Sequence, residues 1–302
     1  MTANGGVGSI TFDLETLVAR VRVTFPDLSF TQAELEDRGG DHCVLLLDNE
    51  YAFRFPRTPD HHLGLELAVL SALQGRCVLP TPHYEFVAPD CSFAGYRFLP
   101  GIELTPALFA TLRRPVQNHI LDQAVLMLNT LHSLEPNQIA GEQVWRMTWT
   151  AVQFTKRGRQ RLATIERSFP ALAGEIAAFY CVYENDRAPF KVVLHGDLTE
   201  DHLLLSTDRD RLAGIIDFGD VGLGDPADDL KGFWAFGAGA VAHVLKGYSG
   251  RGADPGLLER SRHAYLRYRI DRFAELLCED GPVPIKAEAG RLHRLLIGIQ
   301  DK

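Results

Sequence analysis

The chain has 302 residues, of which 46% are hydrophobic and 23% charged, so it is long enough for two lobes around a cleft. A formal net charge of -8 argues against nucleic-acid binding. The chain contains no uninterrupted apolar run of about 18 residues, so no membrane span is predicted. The five cysteines lack metal-ligand spacing, and residues 1–10 lack the features of a signal peptide. We therefore expect a cytoplasmic monomer that binds neither nucleic acid nor membranes.

The N-terminal third of the chain predicts one helix and then a series of strands. Leucine and valine recur at helical spacing in residues 12–24, and Phe25-Pro26-Asp27 ends this helix. A strand, a glycine turn, a second strand, a hairpin and a third strand follow within residues 35–55. Gly39 and Gly40 form the glycine turn, which would let backbone amides approach phosphate oxygens, although the same pair also suits an ordinary hairpin.

Helices dominate the rest of the chain. A helix is predicted at residues 63–73, and strands are predicted at 84–88 and 93–99, before a Pro-Gly pair interrupts the chain. Further helices are predicted at 115–134, 152–169, 171–184, near 226–248, 255–278 and 284–299. A run of strands followed by a run of helices predicts an α+β fold.

The most specific stretch of the chain is residues 192–230. It contains H-G-D-x(4)-H, from His195 to His202, and then I-D-F-G, whose Asp217 follows a second apolar strand. Asp197 and Asp217 should therefore stand side by side at two strand ends, as magnesium-dependent phosphoryl transfer requires. Turn aspartates usually only accept local hydrogen bonds, but that alternative explains neither the first histidine nor the D-F-G triplet.

This stretch resembles the active-site block of the aminoglycoside phosphotransferases, most closely that of their 2″-phosphotransferase branch. The similarity rests on His195-Gly196-Asp197-Leu198, Asp201-His202-Leu203, the run from Gly214 to Asp220, Asp225-Pro226, Phe25-Pro26-Asp27-Leu28, Phe53-Arg54-Phe55-Pro56 and Leu131-His132-Ser133. The resemblance implies a bilobal protein-kinase-like fold. Residues 1–99 would form a β-rich, nucleotide-binding N-lobe, and residues 100–302 a helical C-lobe with the catalytic core and a substrate cap. It also implies magnesium (Mg2+) as cofactor and ATP or GTP as phosphate donor, with the purine left open.

Five residues besides the glycine turn are expected to bind the nucleotide. Kinase folds pair a lysine on the third strand with a glutamate on the next helix, and here Arg54 and Glu66 take those positions. Arginine stays charged and can bridge two phosphate oxygens, whereas Glu66 could also be an ordinary solvated helix charge. In the resembling fold the backbone of Arg97, Phe98 and Leu99 forms the hinge that binds the purine, although the following Pro-Gly pair alone indicates only a turn.

The motif residues have separate expected roles in the transfer. Asp197 is the expected catalytic carboxylate, which orients the acceptor hydroxyl and takes up its proton late. His202 stands where protein kinases place a metal-binding asparagine, and Asp217 begins D-F-G, so both are predicted magnesium ligands. Three side chains are expected to have structural roles around the loop: His132, His195 and Asp225. Asp225 would act as a helix cap or as an anchor of the loop backbone.

The charge pattern bears on the acceptor. Residues 195–230 contain ten acidic and two basic side chains, an excess that would attract a cationic substrate. The predicted substrate cap does not add to this acidic excess, because residues 255–302 contain seven acidic and nine basic side chains. The predicted ligands for ammonium groups are Asp220, Glu275, Glu279 and Asp280.

The favoured function is an antibiotic-resistance kinase that phosphorylates a hydroxyl of an aminoglycoside at the 2″ position. A macrolide 2′-phosphotransferase is the runner-up, because such enzymes share H-G-D-x(4)-H but usually have I-D-W where this chain has Ile216-Asp217-Phe218. A metabolic kinase of a small hydroxylated amine comes third. A nucleotide-binding regulatory module without activity is disfavoured by the intact Asp197 and Asp217.

Overall fold

The structure is a computed structural model that describes residues 12–36, 42–57, 63–139, 145–250, 252, 254–278 and 284–300. Gly39 and Gly40 of the predicted glycine turn lie outside these residues, as do Glu279 and Asp280 of the predicted acceptor site. Within the described ranges, no helix is both long and apolar enough to cross a membrane.

An antiparallel sheet forms the N-terminal part of the protein. Its strands are β1 (Ala33–Glu36), β2 (His42–Leu47), β3 (Tyr51–Pro56), β4 (Tyr84–Val87) and β5 (Ala94–Arg97), in the spatial order β1-β2-β3-β5-β4. Alternate side chains of β2 and β3, among them Leu45 and Phe53, share one buried face because successive side chains of a strand point to opposite sides. Helix α1 (Leu14–Thr24) covers this face with Leu17 and Val21.

Helix α2 spans Leu63–Leu73, as predicted, and follows β3 along the chain. Leu65, Val69 and Leu70 anchor it in the largest apolar core. Glu66 is also fully buried, so it is not a solvated helix charge. The helix therefore carries a carboxylate into the region between the sheet and the rest of the protein.

Two small sheets position the motif loops. The chain leaves the five-stranded sheet at Arg97 and enters β6 (Ile102–Glu103), which pairs with β8 (Leu203–Leu205), and β8 pairs with β9 (Leu212–Ile215). A separate pair joins β7 (Val192–Leu194) to β10 (Gly222–Gly224). The ends of β7 and β9 therefore carry the H-G-D and D-F-G segments.

The remaining described chain is mostly helical. Its α-helices are α3 (Pro106–Thr111), α4 (Arg114–His132), α5 (Pro136–Ile139), α6 (Ala151–Ser168), α7 (Pro170–Tyr183), α8 (Ala227–Leu230), α9 (Ala238–Gly247), α10 (Leu257–Leu276) and α11 (Ile285–Gln300). The single helix predicted near residues 226–248 is wrong. A 3-10 helix, Lys231–Phe236, separates α8 from α9, and Gly237 has a φ of 92°, which no α-helix contains.

The helical region has two apolar cores. The larger one lies among α2, α4, α9 and the two small sheets, and the second lies among α6, α7, α10 and α11. An N-terminal antiparallel sheet followed by a mostly helical region confirms the predicted α+β class.

Candidate active site

The two motif aspartates and His202 meet beyond the ends of β7 and β9. The imidazole of His202 lies between the carboxylates, with Nδ1 3.9 Å from Oδ2 of Asp197 and Nε2 3.5 Å from Oδ2 of Asp217. The side chains of Asp197 and Asp217 are 41% and 45% exposed, so a ligand can reach both. The predicted side-by-side carboxylates are thus brought together by the fold.

The hydrogen bonds of His202 leave one ring nitrogen facing a carboxylate. Nδ1 is 2.6 Å from the backbone carbonyl oxygen of Asp197, which can only accept, so Nδ1 carries a proton. In the neutral ring, Nε2 then presents its lone pair to Asp217. Nε2 and Oδ2 of Asp217 are both acceptors, and their separation of 3.5 Å favours a cation between them. The pair fits a magnesium ion. No group of three or more His, Cys, Asp or Glu residues suits a metal within the described chain, so phosphate and water oxygens would have to complete the coordination.

Arg54 connects the N-terminal sheet to the D-F-G aspartate. Its guanidinium donates to Oε1 of Glu66 at 2.6 Å and to Oδ1 of Asp217 at 2.5 Å. The predicted partners Arg54 and Glu66 are therefore in contact. Burial acts to raise the pKa of Asp217, but the charges of Arg54 and His202 outweigh it and hold that pKa at about 2. Asp217 also has a left-handed backbone (φ 65°, ψ 62°), a conformation that is uncommon outside glycine and is often found at functional sites.

The predicted hinge segment, Arg97, Phe98 and Leu99, connects the five-stranded sheet to the small sheet of β6, β8 and β9. Its three residues differ in their contacts. Arg97 ends β5, and its exposed side chain pairs with Glu85 at 3.4 Å. The backbone N–H of Phe98 donates to the carbonyl of Glu50 at 2.7 Å, so this donor is used within the N-terminal region. Leu99 makes no backbone hydrogen bond to the described part of the chain, which leaves its N–H and C=O open to a purine.

A buried aspartate that the sequence analysis did not identify anchors the H-G-D backbone. Asp229 accepts hydrogen bonds from the N–H groups of His195 at 2.8 Å and Gly196 at 2.9 Å. His132 lies 3.1 Å from the same carboxylate, as expected of a residue that supports the loop. Of the two roles expected for Asp225, the structure shows the helix cap, since its carboxylate accepts from the N–H of Ala227 in α8 at 2.9 Å.

Histidine and glycine residues of H-G-D fix the position of the loop. Nε2 of His195 donates to the carbonyl of Ile216 at 3.0 Å, and burial lowers the pKa of its imidazole, so the ring is neutral and structural. Gly196 has a φ of 89°, and a Cβ there would lie 2.1 Å from the carbonyl oxygen of Asp220. Only glycine therefore allows the two motif loops to approach so closely.

Lys231 is a second buried residue beside the motif, and it was not predicted as a site residue from the sequence. Its Nζ donates to the carbonyl of Asp228 at 2.9 Å and lies 3.8 Å from Oδ1 of Asp197. Only 2% of the residue is exposed. The following residue also packs against the loop, because a Cβ on Gly232 would lie 2.3 Å from the carbonyl oxygen of Leu198. The fold thus places an ammonium group beside the expected catalytic carboxylate.

A cavity of about 520 Å³ opens beside Asp197, a size that suits a small organic ligand. Lys231 and the predicted acceptor ligands Asp220 and Glu275 line it, whereas His202 and Asp217 do not. Asp197 therefore lies between the pair of His202 and Asp217 and this cavity, which we call the acceptor cavity.

Residues 35–276 match the phosphotransferase enzyme family known as APH. The structure is similar to the GDP complex of an aminoglycoside 2′-phosphotransferase of type IIIa, with 21% identity over 95% of this chain and 99% of that one and a TM-score of 0.76. It is also similar to a macrolide 2′-phosphotransferase from Brachybacterium faecium, with 20% identity over 92% of this chain and 98% of that one and a TM-score of 0.62. The chain therefore belongs to the phosphotransferase enzyme family and has its kinase-like fold.

Proposed function

We propose that this enzyme transfers the γ-phosphate of ATP or GTP to a hydroxyl group of a small molecule. The observation that carries the proposal is the position of Asp197, between the pair of His202 and Asp217 and the acceptor cavity. A carboxylate at that point can orient a hydroxyl toward a phosphoryl group on the other side. The acceptor oxygen would bond to the γ-phosphorus, the bond from that phosphorus to the β,γ-bridging oxygen would break, and the hydroxyl proton would pass to Asp197.

The nucleotide would lie between the N-lobe, residues 1–99, and the C-lobe, residues 100–302. Asp217 and His202 would hold magnesium, which neutralises phosphate charge when bound. Arg54 would bind phosphate oxygens while Glu66 fixes its position, since the two are 2.6 Å apart and buried. Backbone groups of Leu99 would contact the purine. Relatives with this fold were determined with GDP or ADP, which supports a purine nucleotide and leaves its base open.

Lys231 would act on the transfer by positioning Asp197. Its ammonium group lies 3.8 Å from Oδ1 of Asp197, close enough to attract and orient the carboxylate. The same charge would stabilise the negative oxygens of the phosphoryl group in transit. The protein-kinase motifs include no lysine that corresponds to Lys231. The proposed role therefore rests on the contact between its Nζ and Asp197.

The aminoglycoside acceptor and a role in resistance remain predictions. A related structure bound to GDP and kanamycin, 22% identical over 95% of this chain and 98% of that one with a TM-score of 0.74, supports them. The contacts of Asp220 and Glu275 weigh against them, because Arg146 lies 2.5 Å from the first and Arg272 2.9 Å from the second. We therefore state the function at the level of a hydroxylated small molecule.

A nucleotide-consumption screen tests the proposal. Purified protein with ATP or GTP and magnesium would be assayed against aminoglycosides, macrolides, small amino alcohols and hydroxylated acids, beside Asp197→Asn. We expect at least one class to stimulate phosphate transfer, and the variant to lose about 10²-fold or more in turnover while its nucleotide affinity changes only a few-fold. Near-normal turnover in Asp197→Asn would remove this residue from catalysis.

A further inference from the structure

The acidic side chains of the acceptor cavity already have basic partners. Asp220 lies 2.5 Å from Arg146. Glu275 lies 2.9 Å from Arg272 and 3.4 Å from Arg161. The two carboxylates that the sequence offered as ammonium ligands are therefore each bound to a guanidinium of the protein.

The deeper carboxylates of the cavity are paired as well. Arg267 lies 3.5 Å from Asp228 and 3.6 Å from Asp271, and Lys231 lies 3.8 Å from Asp197. Arg267 and its two carboxylates are at most 15% exposed, so water screens these pairs little. An incoming ammonium group would have to displace a buried guanidinium to reach them, which leaves that guanidinium uncompensated.

The cavity as a whole carries no acidic excess. Five acidic and five basic side chains line it. The excess in residues 195–230 does not reach it, because only three of those ten acidic residues line the cavity: Asp197, Asp220 and Asp228. A polycation therefore gains little from entering this cavity, in contrast to the expectation from the sequence.

One lining guanidinium is available. Arg157 of α6 is exposed, and its Cζ lies over the ring of Trp149 at 5.3 Å from the centroid. Among the described residues it forms no ion pair within 4 Å of a carboxylate; its charge acts at longer range on Asp271, which Arg161 and Arg267 already contact. Trp149 is itself 43% exposed and lines the cavity, so it offers an apolar surface beside this guanidinium. A planar guanidinium held over an aromatic ring is well suited to bind a carboxylate or a phosphate through two parallel hydrogen bonds.

We infer that the acceptor of this enzyme is a hydroxylated molecule that carries a carboxylate or phosphate group, bound by Arg157, and that it is not a polycation. The inference rests on the proposed function, since it concerns the acceptor of that transfer. Arg157 would hold the anionic group and Trp149 the carbon skeleton, while a hydroxyl reaches Asp197. The other basic side chains of the cavity lie within 4 Å of its carboxylates, so Arg157 is the lining guanidinium that can receive an added anion.

Matched probes can test this charge preference directly. Protein loaded with magnesium and ADP or GDP would be titrated calorimetrically at low salt with glucosamine, glucose, glucuronate and glucose 6-phosphate, which share one ring and differ in charge, and with kanamycin. We expect the better anionic probe to bind about tenfold more tightly than glucose, as a charge-assisted hydrogen bond allows. The two anionic probes distinguish a carboxylate site from a phosphate site.

Two outcomes of the titration overturn the inference. One is a cationic probe that binds as tightly as the better anionic probe, and the other is no anionic probe that binds more tightly than glucose. Failure to load the nucleotide is a different result, because it counts against the proposed function itself.

A pair of arginine variants assigns the effect to its residue. Arg157→Gln should reduce the anion preference to within about twofold, because it removes the guanidinium and keeps a polar side chain. Arg167→Gln is the matched control on α6, since Arg167 is exposed and bonds only to Ala163 and Thr164 of its own helix. The control should retain the full preference. An anion preference that survives in Arg157→Gln contradicts the inference.

Discussion

The two sides of Asp197 use charge in opposite ways. On the nucleotide side, one guanidinium, that of Arg54, serves two carboxylates, those of Glu66 and Asp217. On the acceptor side, five acidic side chains line the cavity together with five basic ones. The group around Arg54 therefore retains an unmatched negative charge, as the proposed metal site requires. The acceptor cavity retains none.

The difference has a chemical reason. A nucleotide arrives with magnesium, so the residues that receive it need oxygen atoms with charge to spare. An acceptor must be told apart from many similar hydroxylated molecules, and a cavity whose carboxylates are already paired offers little to a polycation. Under the proposed function, acidity within the motif therefore predicts the metal side of the site better than it predicts the charge of the acceptor cavity.

The largest expected effect falls on the nucleotide side. Asp217→Ala should weaken magnesium-dependent nucleotide binding by about 10²-fold or more and abolish turnover with it, because it removes the proposed metal ligand. Calorimetric titration with nucleotide, with and without magnesium, measures this. Asp208→Ala is the control, since Asp208 is an exposed turn residue between β8 and β9. Equal magnesium dependence in Asp217→Ala and the control would show that the metal is held elsewhere.

A smaller effect is expected at Lys231, where the two sides meet. Lys231→Met keeps the apolar stem and should lower turnover about tenfold or more. Steady-state kinetics of the purified variant measure this loss. Lys231→Arg retains the charge and should recover part of the lost turnover. Equal turnover in Lys231→Met and Lys231→Arg would show that the charge beside Asp197 does not act on the transfer.

On the acceptor side, an effect on stability and not on turnover is expected. Burial raises the pKa of Asp228 to about 6, despite the opposing charges of Arg267 and Lys231. Between pH 4 and 6 the native state therefore binds more protons than the unfolded chain, so this group lowers the free energy of unfolding as pH rises through that window.

Asp228→Asn removes this titration. The variant should match the wild type near pH 4 and exceed it by at most about 3 kcal/mol above pH 6.5. Urea unfolding of both proteins across this range measures the difference. A difference that does not change with pH would mean that Asp228 titrates normally in the native state.

Local patterns were sufficient for much of the fold. The helix at Leu63–Leu73 and the α+β class follow from periodicity and from the order of strands and helices. The single helix expected near 226–248 was wrong because a 3-10 helix follows α8 and the backbone of Gly237, with a φ of 92°, cannot continue into α9 as one α-helix. Asp225 was expected as a helix cap or a backbone anchor; it is the cap, and Asp229 is the anchor, because neighbouring aspartates of one segment cannot be told apart until their burial is known.

The sequence by itself determined which residues stand at the ends of β7 and β9, because short motifs fix side chains relative to the strand that precedes them. Only the tertiary structure decided what surrounds them. Lys231 of the 3-10 helix lies 3.8 Å from Asp197, and Arg157 and Arg267 line the cavity from helices α6 and α10, far apart in the chain. Net charge counted along a segment is therefore not the charge of a cavity, since electrostatic pairing depends on distance in space and on burial.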